Sequence, residues 1–191
     1  MSAAQATDPS GHFHAVRFYK DSDSLCRIVG HFIAAGLAAG EPAILIATPG
    51  HTTAIEACLR GTALDVEALK RRGDLIALDA RKMLATFMAD GLPNAAAFRQ
   101  HVGGVITQAG RGREQSTIRA YGEMVDLLWK DGLTAAAIQV EGLWNQLARE
   151  HEFKLLCGYS MGNFYKGSAF DEIKGQHSHL TSDVGEHVPL H

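Results

Sequence analysis

Residues 14–25 read HAVRFYKDSDSL, and this stretch decides the fold of the chain. Residues 14–19 have the pattern of a short strand, and an amphipathic helix pattern begins at Leu25, so residues 20–24 form the turn between them. In nucleotide-hydrolysing α/β proteins this turn reads GxxxxGK[ST], because glycines let backbone amides approach the phosphates and the lysine contacts the β/γ oxygens. Here the turn holds no glycine, and two aspartates lie where a polyanion would bind. Asp and Ser are good N-caps, so the turn predicts the start of a helix and no hydrolysis of ATP or GTP.

The composition is that of one globular domain. A chain of 191 residues can bury roughly 70% of its unfolded surface. The net charge of −3 and pI near 6.3 argue against a nucleic-acid-binding surface, which is normally basic. The longest strongly apolar stretch, residues 28–39, is too short to span a bilayer, and residues 1–12 lack the basic end and apolar core of a secretory signal. We therefore expect a cytoplasmic protein without a direct nucleic-acid or membrane partner.

The three cysteines, Cys26, Cys58 and Cys157, are odd in number and far apart. Two fall in predicted helices and one in a predicted strand, which favours reduced, buried thiols. Cys157 is interpreted as a core residue and not as a nucleophile, because no histidine lies nearby in the sequence to activate it.

Strand and helix patterns alternate along the chain. The central strand is residues 43–48 (AILIAT), a continuous apolar run typical of a strand covered on both faces. The other predicted strands are residues 14–19, 75–78, 116–121 and 153–159. The predicted helices are residues 25–40, 51–60, 65–72, 81–89, 94–109, 123–130 and 134–150. Such alternation predicts a three-layer α/β fold, with a mostly parallel sheet and helices on both faces.

Six blocks of this sequence, in this order, resemble the MEDS family of methanogen/methylotroph, DcmR-type sensory domains. They are HAVRFYKDSDSL, GLAAGEPAILIATPGH, LATFMADGLPN, RAYGEMVDLLW, GLWNQLA and LLCGYSM. The resemblance covers roughly residues 12–165, which leaves residues 1–11 as a loose tail and residues 166–191 as a polar, His-rich extension. The family is similar to a KaiC/RecA-type ATPase core that has lost its phosphate loop, and the segments GEPAILIAT and RRGDLIALDA resemble that core.

The resemblance implies a cytoplasmic sensory role beside a histidine kinase or a DNA-binding domain, as in two-component regulation. No kinase or helix-turn-helix segment is visible on either side, so output is expected through a partner protein or through self-association. Our first interpretation is therefore a non-enzymatic sensory domain that binds a small ligand or a partner. Two alternatives stay open: a degenerate RecA-like nucleotide-binding protein or ATPase, and an interaction scaffold without a ligand.

The candidate ligand site is the edge formed by the carboxyl ends of the strands, where open parallel sheets bind ligands. Hydroxyls, carboxylates and aromatic faces meet there and suit a small, partly apolar molecule. The predicted residues are Tyr19, Thr48, Asp79, Tyr121, Glu123 and Tyr159.

Catalytic and metal-binding roles have weaker support in the sequence. Glu123 lies where RecA-like proteins keep an acidic catalytic residue, but it is interpreted as a carboxylate that caps the following helix. Residues 50–53 (GHTT) resemble GKTT with His for Lys, yet they follow the wrong strand. The tail histidines His177, His179, His187 and His191 could seat a metal ion, although histidines in a polar tail are more often solvated. No catalytic residue, resident metal or cofactor is therefore predicted.

Overall fold

The computed structural model describes residues 13–113 and 117–160, together with the backbone of residues 179–181 and 187–189. The strands are β1 (Phe13–Tyr19), β2 (Ala43–Ala47), β3 (Leu75–Asp79), β4 (Met88–Ala89), β5 (Leu92–Pro93), β6 (Ile118–Gly122), β7 (Phe153–Ser160), β8 (His179–Thr181) and β9 (His187–Pro189). The helices are α1 (Ser22–Ala38), α2 (Pro49–Arg60), α3 (Val66–Arg72), α4 (Ala80–Phe87), α5 (Ala95–Phe98), α6 (Gly104–Gly110), α7 (Met124–Lys130) and α8 (Thr134–Ala148), and a π-helical turn (Arg99–Gly103) joins α5 to α6.

The main sheet has the strand order β3-β2-β6-β7-β1-β8-β9, and every neighbouring pair is parallel except β8 with β9. Helices α1, α2 and α3 cover one face, and α4 to α8 cover the other, so two apolar cores flank the sheet. The predicted three-layer, mostly parallel, RecA-like fold is confirmed. Within the predicted C-terminal extension, the described backbone forms β8 and β9, which the sequence did not predict.

Strand β2 is buried along its whole length, as its apolar run predicts. Ile44 and Ile46 pack into the core under α4 to α8, whereas Leu45 packs into the core under α1 to α3. Alternate residues of a strand point to opposite faces, so only a continuous apolar run can fill both cores.

Capping residues set several of the helix boundaries. Asp21, Asp65 and Asn94 each accept a hydrogen bond from a backbone amide three residues later, which satisfies an amide that the helix itself leaves unpaired. Gly73 ends α3 in the left-handed conformation, with φ of 74°.

Three local expectations are wrong. The helix predicted from residue 51 begins two residues earlier, at Pro49, because the missing N–H and fixed φ of proline suit the first position of a helix. The segment predicted to extend α4 to Ala89 instead forms the β4–β5 hairpin, whose turn residues Asp90 and Gly91 have φ of 51° and 78°. Cys58 is exposed rather than buried, while Cys26 and Cys157 are buried as expected.

Candidate functional site

A hydrogen-bonded network at the carboxyl edge of the sheet centres on the Glu123 carboxylate. Glu123 follows β6 and is 2% exposed. Its Oε1 accepts the backbone amide of Thr48 at the end of β2, and its Oε2 lies 2.6 Å from His51 Nδ1 on α2. The Tyr121 hydroxyl donates to Oε2 at 3.3 Å, and His51 Nε2 lies 3.1 Å from Ser22 Oγ on α1. We call these five residues the Glu123 network; it joins the segments that follow β1, β2 and β6.

The charges in this network support one another. Burial raises the pKa of Glu123, but the hydrogen bonds from His51 and Thr48 and the charge of His51 outweigh it, so the net pKa lies below the usual value. The hydrogen bond to Glu123 raises the pKa of His51, although burial opposes the change. Burial and the neighbouring Glu123 carboxylate raise the pKa of Tyr121, whose hydroxyl stays a neutral donor. The pair Glu123–His51 is therefore an ion pair when His51 is protonated, with His51 only 17% exposed.

A second carboxylate extends the contacts to the remaining strands. Asp126, on the first turn of α7, accepts the Tyr19 hydroxyl at 2.9 Å and the Ser160 amide at 3.0 Å. Lys130 Nζ lies 2.6 Å from the same carboxylate. Tyr19 also packs edge-on against the His51 ring, with ring centroids 6.2 Å apart. The ends of β1, β2, β6 and β7 are thus tied together by two buried carboxylates.

The turn after β1 is a capped helix start, as its sequence predicts. The Asp21 carboxylate accepts the Ser24 amide at 2.7 Å, and this hydrogen bond lowers the pKa of Asp21. In a phosphate loop, amides at this helix N-terminus face the ligand phosphates. Here a side-chain carboxylate accepts one of them, and negative charge already lies against the helix end.

The structure brings together four of the six predicted site residues: Tyr19, Thr48, Tyr121 and Glu123. Tyr19 and Tyr121 pack in the core under α1 to α3 and are nearly or fully buried. These residues therefore form a closed, internally bonded edge and not an open crevice. The Glu123 carboxylate makes no capping bond to α7, contrary to the predicted role, because it reaches across to Thr48 and His51.

The other two predicted site residues lie apart from this network. Asp79 ends β3 and caps α4, accepting the amides of Arg81 and Lys82 at 2.8 and 3.2 Å. Tyr159 lies on the opposite face of the sheet, where it stacks on Phe18. The expectation that all six side chains meet in one crevice is wrong for these two. Tyr159 lies on the other face because neighbouring residues of a strand alternate between faces. The Asp79 carboxylate is instead used to cap α4.

Sequence reasoning missed His51, Ser22 and Asp126. The GHTT segment is a poor match to a phosphate loop, yet its histidine contacts Glu123, 72 positions away in the sequence. The signal in the sequence is a histidine in the first turn of a helix that begins at the carboxyl end of a central strand. Its partner depends on β2 and β6 being adjacent, and strand order was not part of the prediction.

Three side chains of types that ligate metals converge elsewhere. His14, Glu141 and Cys157 lie together on the face opposite the Glu123 network, and all three are buried. His14 Nε2 is 3.3 Å from Cys157 Sγ, so a histidine accompanies this thiol in space although none lies nearby along the chain. Cys157 is fully buried, as its interpretation as a core residue predicted. Burial and the Glu141 carboxylate raise the pKa of the Cys157 thiol. The side chains of the tail histidines His177, His179, His187 and His191 lie outside the described residues.

Two surface clefts lie away from the Glu123 network. A cleft of about 440 Å³ opens between β1 and α1, where Arg17, Arg27 and His31 contribute positive or titratable groups. A second of about 290 Å³ lies between α5 and α8 beside Phe98 and Leu143. Neither holds a residue predicted from the sequence as part of the site.

Strand order, layers and site define a RecA-like α/β domain in which the first strand-to-helix turn carries no phosphate loop. The chain belongs to the MEDS family: the sequence model of the MEthanogen/methylotroph, DcmR Sensory domain matches residues 13–177. No curated protein matches the chain. Among the described residues, no helix combines the length and the hydropathy needed to cross a membrane.

Proposed function

We propose that this protein is a non-enzymatic sensory domain and that the carboxyl edge around Glu123 is its signal-input site. The observation that carries the proposal is the Glu123 network itself. In the RecA-like architecture this edge is where nucleotide phosphates bind. In this chain Glu123 and Asp126 place two buried carboxylates at the edge, and their hydrogen-bonding capacity is used by internal donors.

The Asp21 carboxylate at the start of α1 disfavours a polyphosphate at this edge. Phosphate binding also requires a lysine and free backbone amides at the start of this helix. In this chain the Asp21 side chain occupies that helix start and accepts the Ser24 amide. A small, weakly charged organic molecule or a segment of a partner protein suits the edge better, since it can exchange hydrogen bonds with His51, Ser22 and Thr48 without facing like charge.

The network also provides a route for relay. Its bonds connect the start of α1, the start of α2 and the start of α7, so a ligand that displaces His51 changes contacts in three helices on both faces of the sheet. A ligand shifts such an equilibrium only by its differential affinity for the two arrangements. The altered surface is then read by a partner protein, such as a histidine kinase or a transcription regulator, or by a second copy of this chain.

A thermal-shift screen tests the proposal and separates it from its alternatives. Small organic molecules that bind should raise the melting temperature, by about 7 °C at 100 times the dissociation constant. ATP and GTP with Mg²⁺ should leave it unchanged. Saturable stabilisation by Mg²⁺–nucleotide would favour the degenerate ATPase, and stabilisation by none of the compounds would favour the interaction scaffold.

Two matched variants locate the site for any compound that binds. Glu123→Gln should reduce the compound's stabilising effect, whereas Glu67→Gln should retain it, because Glu67 is exposed on α3 away from the edge. A compound that stabilises both variants as strongly as the parent binds elsewhere, and the input-site assignment is then wrong.

A further inference from the structure

The cluster of His14, Glu141 and Cys157 lies in the core between the sheet and α8. His14 comes from β1, Cys157 from the adjacent parallel strand β7, and Glu141 from α8. Cys157 is paired in register with Val16, which lies two residues after His14 on the same face of β1. His14 and Cys157 are therefore diagonal neighbours on one face of the sheet. Three elements therefore place an imidazole, a thiol and a carboxylate around one point. Glu141 is 0% exposed.

The distances between the three donor atoms match the edges of a metal coordination tetrahedron. Zinc binds nitrogen at about 2.0–2.1 Å, sulfur at about 2.3 Å and carboxylate oxygen at about 2.0–2.2 Å, which at tetrahedral angles separates the ligand atoms by about 3.3–3.6 Å. In this protein Nε2 of His14 is 3.3 Å from Sγ of Cys157 and 3.2 Å from Oε2 of Glu141. The distance from Sγ to Oε2 is 3.7 Å. A single ion fits among the three atoms with little movement of any side chain.

Outer contacts hold two of the ligands in a binding orientation. Nδ1 of His14 lies 2.8 Å from Oδ1 of Asn145, one turn after Glu141 on α8. An Nδ1–H donated to this oxygen fixes the tautomer in which Nε2 carries a lone pair toward the cluster. The Tyr159 hydroxyl donates to Oε1 of Glu141 at 2.6 Å, which turns Oε2 toward His14 and Cys157. Such hydrogen bonds to the second atom of a ligand are typical of metal sites.

We propose that His14, Glu141 and Cys157 bind a divalent transition-metal ion, with zinc as the first candidate. A thiolate, a carboxylate and a neutral imidazole carry a charge of −2, which a divalent ion neutralises in a site closed to solvent. Mixed sulfur, nitrogen and oxygen ligands in a tetrahedral arrangement favour zinc over magnesium or calcium, which prefer oxygen ligands. Three protein ligands are the number found in zinc sites that take a fourth, non-protein ligand. This site is independent of the input edge, which lies on the other face of the sheet.

Cobalt binding tests the proposal. The full chain, prepared without a polyhistidine tag and stripped with a chelator, is titrated with Co²⁺ alone and then with Zn²⁺. We expect one equivalent of Co²⁺ and a thiolate-to-cobalt charge-transfer band that Zn²⁺ abolishes. Asn145→Ala should weaken binding by about 10–100-fold, and Cys157→Ser should abolish the band and weaken binding by more than about 100-fold.

Control variants assign the band. A Cys26→Ser/Cys58→Ser double variant leaves Cys157 as the only cysteine and should keep the band, even if Cys157→Ser itself fails to fold. A His177→Ala/His179→Ala variant should also keep it. Absence of cobalt uptake by the parent overturns the proposal and leaves the cluster as a hydrogen-bonded core network. A band that is lost with Cys58, or metal uptake that is lost with the tail histidines, overturns it as well.

Discussion

The substitution Glu123→Gln should destabilise the protein far more than the same substitution at an exposed position. Glu123 is buried and accepts hydrogen bonds from Thr48, His51 and Tyr121. Glutamine keeps the shape and one acceptor oxygen but removes the charge that holds His51 protonated. Hydrogen bonds to a charged group contribute about 1.5–3 kcal/mol each to stability. Losing the equivalent of one such bond, the one to His51, at about 2.5 °C of melting temperature per kcal/mol for a chain of this length, lowers the melting temperature by about 4–8 °C.

Differential scanning calorimetry near pH 6 measures this loss, with Glu67→Gln as the matched control. Glu67 is 59% exposed and forms its ion pair with Arg60 at the surface, at 3.0 Å. Exposed pairs contribute about 0–1 kcal/mol, so the control should shift by less than about 2.5 °C. Equal shifts in the two variants would refute the reasoning, because the Glu123 carboxylate would then contribute no more than a surface charge.

The same network predicts how stability depends on pH. The pKa of His51 is raised above its ordinary value of 6.5, so the stabilisation from its protonated form is fully present below pH 6.5 and is lost as the pH rises through the folded-state pKa. The pKa of Glu123 is lowered, so its contribution is lost only in acid, below its ordinary value of 4.5. The charge of Asp126 also raises the pKa of His51 and the charge of Lys130 lowers it, but the net pKa of His51 remains raised.

Other predictions concern the packing. Ile44→Asp should prevent folding, whereas Ile44→Val should be tolerated, because an unpaired carboxylate in the core costs several kcal/mol. Thermal melting of the two variants, followed by circular dichroism, checks this. A cooperative transition for Ile44→Asp would contradict the position of β2 in the core. Gly36→Ala should destabilise, since a Cβ there meets the Arg119 side chain, which Glu41 holds in place at 2.5 Å. Gly104→Ala, a helical position with open space around it, should instead raise the stability by about 0.5–1 kcal/mol, and the opposite order of melting temperatures would contradict this packing.

Local features of the fold could be predicted from the sequence because their causes are local. The continuous apolar run of β2 predicted its double burial, and the Asp and Ser residues of the turn at residues 20–24 predicted the start of α1. Asp90 followed by Gly91 is an equally local signal for a hairpin, because both residues adopt the positive φ of a tight turn. The helix predicted over residues 81–89 did not take it into account.

The sites could be predicted only in part because their partners are distant in sequence. Edge residues such as Thr48 and Glu123 were found by reasoning that parallel strands end together. The pairs His51–Glu123 and His14–Cys157 are separated by 72 and 143 positions, and each depends on which strands are neighbours. Periodicity located the five strands β1, β2, β3, β6 and β7 but not their order in the sheet.

The central proposal is that the carboxyl edge around the Glu123 network is an input site that does not take nucleotide. The measurement that tests it most directly is the titration of the His51 ring by NMR, recorded with and without Mg²⁺–ATP. The account predicts a pKa above 6.5 that ATP does not change and that Glu123→Gln lowers. A ring that titrates at or below its ordinary value, or one whose resonances shift when Mg²⁺–ATP is added, would contradict it.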